Sequence, residues 1–163
     1  MTLRPIPDPG VLKEADSFWQ ASQKLNTFSE PIMSVPTVVN AALALELYLK
    51  SLNMEWHLQD PSSLGENKAL LKSRRAVQTG HAPSKLYLAI DQDTRNTLET
   101  RYWQRHQGTN VPKLEKILEA YDGIFQDWRY VFEGRCKSVD LSFLFSLLVF
   151  FSEEIHALPP RWA

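Results

Sequence analysis

The chain has 163 residues, room for one domain that buries roughly two thirds of its unfolded surface without disulfide or metal staples. Hydrophobic residues make up 44% and charged residues 23%, which excludes the low-apolar, high-charge composition of a disordered chain. Eighteen Lys and Arg against nineteen Asp and Glu leave a formal charge of -1, so no global field draws the chain to nucleic acid or an anionic membrane, and any such contact needs a local patch.

Met1 to Gly10 (MTLRPIPDPG) carries Pro5, Pro7 and Pro9 and no apolar run, so it reads as a proline-rich arm over residues 1–10 and not as a signal or transit peptide. One helical-bundle domain is expected over 11–158, with a short tail at 159–163. From Val11 to Phe28, Leu12, Ala15, Phe18, Trp19, Ser22 and Leu25 recur at three- and four-residue steps, an amphipathic helix opened near Asp8 and Pro9. From Pro36 to Asn53, with Ser34 near the cap, apolar residues surround the helix axis, which places this helix at the buried centre of a bundle.

Periodicity fades after Met54, and a long basic connection is expected over about 54–82. It carries Lys68, Lys72, Arg74 and Arg75, with Lys85 just beyond and no carboxylate between 68 and 85. Pro83 opens a short helix through Leu86, Tyr87 and Ile90, followed by a piece from Thr94 to His106 that breaks at Gly108. Pro112 opens one long helix with Leu114, Ile117, Leu118, Tyr121, Phe125, Trp128 and Phe132 on one face, ending near Gly134. A last helix runs from about Val139 to Ala157 and stops at Pro159 and Pro160. Its apolar run, Leu141 to Phe151, falls well short of the roughly 20 residues of a bilayer span. No piece shows the sustained alternation of a half-buried strand, so the expected class is all-α, in a cytoplasmic protein without a membrane partner.

The usual enzyme signatures GxGxxG, GxxxxGK[ST], HExxH and GxSxG are missing. His57, His81, His106 and His156 are scattered and Cys136 is the lone cysteine, so no metal site and no cofactor are expected. Cys136 lies between Arg135 and Lys137, which favour thiolate, but no acid or histidine stands nearby in sequence to complete a nucleophile. In the central helix, Glu46, Lys50 and Asn53 fall within a sector of about 60° at about 100° per residue, and Glu46 to Lys50 is the favourable i,i+4 orientation. Charges in so apolar a helix need partners. Tyr102, Trp103 and Arg105, together with the basic connection, offer the residue types of a single-strand RNA surface, aromatic faces for bases and cations for phosphates.

Four segments occur in a telling order: NAALALELYLKSL (Asn40 to Leu52), Gly80-His81 followed closely by Leu86-Tyr87, FQDWRYVFEG (Phe125 to Gly134), and an apolar final helix. Together they resemble the HEPN domain (higher eukaryotes and prokaryotes nucleotide-binding), in the bacterial branch with an ELYLK-type helix, a GH turn and a WRY helix. The resemblance covers about Pro36 to Ala157. It implies an up-and-down bundle of four to six helices, commonly a homodimer, in toxin–antitoxin, phage-defence and RNA-processing proteins. An antitoxin or a nucleotidyltransferase is then the natural second partner.

Active members of that family cut RNA without metal, using an Arg-x(4–6)-His motif from both subunits. There histidine moves a proton near neutrality while arginine holds the phosphate. Arg101 and His106 have this spacing, as do Arg74 and Arg75 relative to His81. The family's late motif falls on Arg129 and Tyr130, where Glu133 stands close to the place of the histidine. A carboxylate repels phosphate, so the preferred reading is a dimeric, non-catalytic binding or regulatory module. In it Arg129 and Glu133 pair at i,i+4, and Glu46 reaches His81 or Arg129. The alternatives are an RNase using Arg101 and His106, and a purely structural interaction domain.

Overall fold

The computed structural model describes residues 2–27, 34–59, 71–107, 110–134 and 138–162, the side chains of 71 and 72 excepted. The chain is predominantly helical: α1 (Pro9–Leu25), α2 (Ser34–Ser51), α3 (Pro83–Leu88), α4 (Gln92–Arg105), α5 (Leu114–Glu119), α6 (Ile124–Arg129) and α7 (Leu141–His156). Among the described residues no helix is long and apolar enough to cross a membrane.

Helix α2 is the axis. Between Val35 and Ser51 no residue is fully exposed, and Ala41, Ala44, Leu45, Tyr48 and Leu49 are at most 1% exposed. Its alanines let neighbours approach closely, with α1 packed along it and α3, α6 and α7 around it. Helix α7 supplies Leu144, Leu147, Leu148, Phe150, Phe151 and Ile155 to the same core. Polar groups at these contacts are satisfied. Ser22 Oγ donates to the Thr37 carbonyl at 2.9 Å, and the Tyr48 hydroxyl donates to Asp16 at 2.7 Å. Burial pushes the Tyr48 phenol well above its ordinary pKa, so it stays a donor.

The pure all-α expectation is corrected by two small antiparallel sheets. β3 (Met54–Leu58) lies between β1 (Thr2–Leu3) and β4 (Leu71–Ala76), and β2 (Pro5–Ile6) pairs with β5 (Arg161–Trp162). The arm, the connection and the tail therefore all enter regular structure. The physical reason is legible afterwards: Met54-Glu-Trp-His-Leu58 alternates apolar and polar with period two. Glu55 stands opposite Arg75 across the ladder and Trp56 opposite Arg74, favourable cross-strand pairs.

The single helix expected from Pro112 to Gly134 is also corrected. It breaks at Gly123, whose φ of 82° suits glycine, and again at Tyr130, after which Val131–Glu133 form a 3-10 turn. Neither α3 nor α5 has a capping side chain at its own N-cap, and both borrow one. Asp122 accepts from the Ser84 N–H at 3.0 Å, and Glu99 accepts from the Leu114 N–H at 3.1 Å while also receiving the Tyr87 hydroxyl at 3.0 Å.

Asp8 fastens the sheets to the bundle. Its carboxylate caps α1 by accepting from Gly10 N–H at 2.9 Å and Val11 N–H at 3.0 Å, and its other oxygen accepts from Trp56 Nε1 at 2.5 Å. Its own N–H donates to the carbonyl of Ser51 at the end of α2, and the residue is fully buried. Losing the cap costs about 1 kcal/mol, and a stranded indole donor about 1–3 more. Asp8→Ala is expected to lower unfolding stability by about 2–4 kcal/mol in urea titrations, and Asp8→Asn by less, since its carbonyl oxygen keeps one set of bonds.

Glu55 makes the sheet sensitive to acid. The Arg4 guanidinium bonded to it holds its carboxyl below the ordinary 4.5 against the effect of burial, with Arg75 and His57 adding to the pull. A depressed carboxylate pKa gives stability that is present above the unfolded value and lost as pH falls through the folded one. Thermal unfolding of Arg4→Gln is expected to lose less stability than the parent between about pH 5 and 3.

Candidate functional site

Glu46 sits on the buried face of α2, 3% exposed, and needs counter-charge. One oxygen accepts from Lys50 Nζ at 2.6 Å, one turn on, and the other meets His81 Nδ1 at 2.8 Å. His81 is placed there by Gly80, whose φ of 105° turns the chain sharply before Pro83 opens α3. A carboxylate accepting from Nδ1–H leaves the lone pair of a neutral ring on Nε2. The ring lies tilted against Phe125 of α6, centroids 5.3 Å apart. Thus α2, the GH turn and the WRY helix meet around one carboxylate.

Of the two expected neighbours of Glu46, His81 is in contact and Arg129 is not. Arg129 is exposed and lies over the Phe125 and Tyr130 rings at 5.9 and 5.1 Å. The expected Arg129–Glu133 pair is absent among the described residues, because α6 ends at Arg129 and Glu133 lies exposed in the 3-10 turn. An enclosed space of about 10 Å³ lies beside His81, between Ala42, Leu45, Pro83 and Phe125. That enclosed space holds about one water, while the rest of the His81 ring faces solvent.

Arg101 and His106 do not converge. Arg101 Nη1 donates to Glu154 Oε2 at 2.9 Å, and Arg105 Nη2 donates to Glu153 at 2.6 Å and Glu154 at 3.2 Å, so two carboxylates at the end of α7 hold both guanidinia. His106, at the C-cap of α4, sits against Tyr102 with ring centroids 4.5 Å apart. The two residues line different cavities. Arg101 borders one with Thr94, Thr97 and Leu158, and His106 borders another with Phe143, Leu147 and Val149. Five helical positions place them about 140° apart around the axis. A carboxylate on the arginine fork occupies the position a phosphate would need.

The expected RNA surface is partly dismantled. Tyr102 is 4% exposed and packs edge-on against Phe150, and burial raises its phenol pKa. Arg74 stacks over Trp56 at 4.7 Å, and Arg75 lies 3.6 Å from Glu55. Trp103, 60% exposed, keeps its ring available. Lys68, the side chain of Lys72, and Cys136 with its flanking cations lie outside the described residues. Among the described residues no group of three or more His, Cys, Asp or Glu is placed to hold a metal ion.

Sequence reasoning missed Glu153 and Glu154 as partners of α4. The available signal was position, since Arg101 and Arg105, four residues apart, lie toward the end of α4 and Glu153 and Glu154 toward the end of α7, and both helices must pack against the core. Glu99 and Asp122 as borrowed caps left no signal in the sequence, because capping between distant elements depends on the tertiary fold. No family model, curated protein or solved structure matches the chain.

Removing one partner of a buried pair costs about 3–5 kcal/mol, and the low end fits here because the Lys50 and His81 side chains keep 19% and 42% of their exposure. Glu46→Ala is expected to destabilise the protein by about 3 kcal/mol in chemical denaturation, whereas Glu133→Ala, at an exposed site, should change it by less than about 0.5.

Proposed function

We propose that the chain is a HEPN-like helical module that binds protein surfaces, first a second copy of itself, and does not cut RNA through Arg101 and His106. The observation that carries this reading is the double clamp of Glu153 and Glu154 on Arg105 and Arg101. A phosphate has to displace a partly buried carboxylate to reach either guanidinium, and His106 faces another cavity. The HEPN assignment draws support from the way three of its characteristic segments meet at Glu46, His81 and Phe125. The family's antitoxin or nucleotidyltransferase partner, and its setting in defence or toxin–antitoxin systems, enter this proposal through the resemblance alone.

Self-association is favoured by what α7 and its surroundings leave uncovered. Phe143 and Val149 are 38% and 39% exposed on α7, and Phe132 is 79% exposed. Ser142 and Ser146 lie between them on the same helix, small enough to admit a partner helix. With a net charge of -1, two copies meet little mutual repulsion.

Two measurements check the reading. Purified protein incubated with single-stranded RNA in EDTA is expected to leave it intact; metal-independent cleavage that His106→Ala abolishes without lowering the melting temperature would overturn the non-catalytic assignment. Sedimentation equilibrium at tens of micromolar should show a dimer that Phe143→Glu converts to monomer, and a monomeric parent protein would sink the interface.

A further inference from the structure

The two ends of the chain build a cleft of about 340 Å³, lined among others by Pro7, Trp56, Ile155, Leu158, Pro160 and Trp162. Its shape is set by two indoles. The Trp56 and Trp162 rings stand nearly perpendicular, centroids 5.4 Å apart at 79°, so they form a corner between a floor and a wall. Trp56 is held in place: its Nε1 donates to buried Asp8, and Arg74 stacks on its ring. Trp162 is 61% exposed, and its indole N–H has no hydrogen-bond partner among the described residues. The corner therefore offers a rigid apolar notch with one free donor at its mouth.

The charges at the rim are already paired. Arg161 donates to Asp91 and to Thr94 Oγ1, both at 2.6 Å, and His156 lies 3.0 Å from Asp16. An entering anion would have to break these bonds to find a cation, and an entering cation would have to break them to find a carboxylate, Asp91 or Asp16. The occupant is uncharged. The rim is also open, with the His156 and Arg161 side chains 50% and 41% exposed. A small ligand normally loses 70–90% of its surface on binding, which this rim does not provide, whereas a chain segment that runs on past the notch suits an open end.

We propose that this cleft binds an uncharged, proline-rich segment of another protein in the polyproline II conformation. One proline ring fills the corner between Trp56 and Trp162, and Trp162 Nε1 donates to a backbone carbonyl of the segment. Polyproline II makes no internal hydrogen bonds, so each carbonyl is free to accept, and its pre-set backbone keeps the ordering cost of binding low. This surface uses the end of α7, not the face that carries Phe143 and Val149, and does not depend on self-association.

The test uses the full chain and the peptide acetyl-octaproline amide, followed by the indole N–H resonances of the five tryptophans in proton–nitrogen spectra and by calorimetry. Saturable binding is expected, with the Trp162 resonance, assigned by its loss in Trp162→Phe, moving most. Trp162→Ala should weaken binding at least tenfold and Trp162→Phe severalfold, while Trp103→Ala, an equally exposed tryptophan outside the cleft, should leave it unchanged. Absence of saturable binding, or binding that Trp162→Ala retains, would overturn the proposal. So would saturation of the same resonance by indole, tetramethylammonium or oligouridylate in place of octaproline, assigning the cleft to a small aromatic, a cation or RNA.

Discussion

Helix α2 has almost no surface to give to water, and that constraint organises everything packed around it. A helix so enclosed can carry a carboxylate only if the fold brings it partners, and Glu46 obtains a cation, Lys50, from its own next turn and an imidazole nitrogen from His81. The second contact is long-range, so it also fixes where the Gly80 turn lies and hence where α3 begins. Phe125 completes the arrangement by lying against one side of the imidazole. One buried charge thus acts as a register mark for α2, α3 and α6, a use of buried polar groups that trades some stability for specificity.

Much of the helical frame was readable in the sequence because its signals are local. Asp8-Pro9 opens α1, Pro83 opens α3, and the apolar circumference of 36–52 places α2 at the centre. Element ends shifted by a few residues, as they do when fraying and caps decide them. The long helix over 112–134 failed because one continuous apolar face hid two backbone events, the left-handed Gly123 and the 3-10 turn after Tyr130. The strands failed for a different reason. β1, β2 and β5 are two residues each, too short for any pattern, and exist only because partners from distant parts of the chain supply their hydrogen bonds.

The candidate site shows the same division. The Glu46–Lys50 pair is a matter of helical spacing and could be seen directly. That His81 completes it followed from the resemblance and not from any property of the local sequence. The Arg101 and His106 spacing, in contrast, was local and uninformative about chemistry. Five residues along a helix bring two side chains to different sides, and the residue that decides the arginine's state, Glu154, lies 53 positions away. A motif that specifies only two residues leaves out the group that competes for them.

The pairing of β2 with β5 sets Pro5 opposite Trp162. The second strand of the chain therefore pairs with the last, and the chain closes on itself like a clasp. Anything fused at either end emerges beside the same pair of indoles, at the effective concentration of a short tether, which reaches the millimolar range. An affinity tag at one terminus is then no neutral handle for this protein, because it competes with whatever approaches that corner. Joining the two ends and opening the chain elsewhere would move such additions away while leaving the clasp intact.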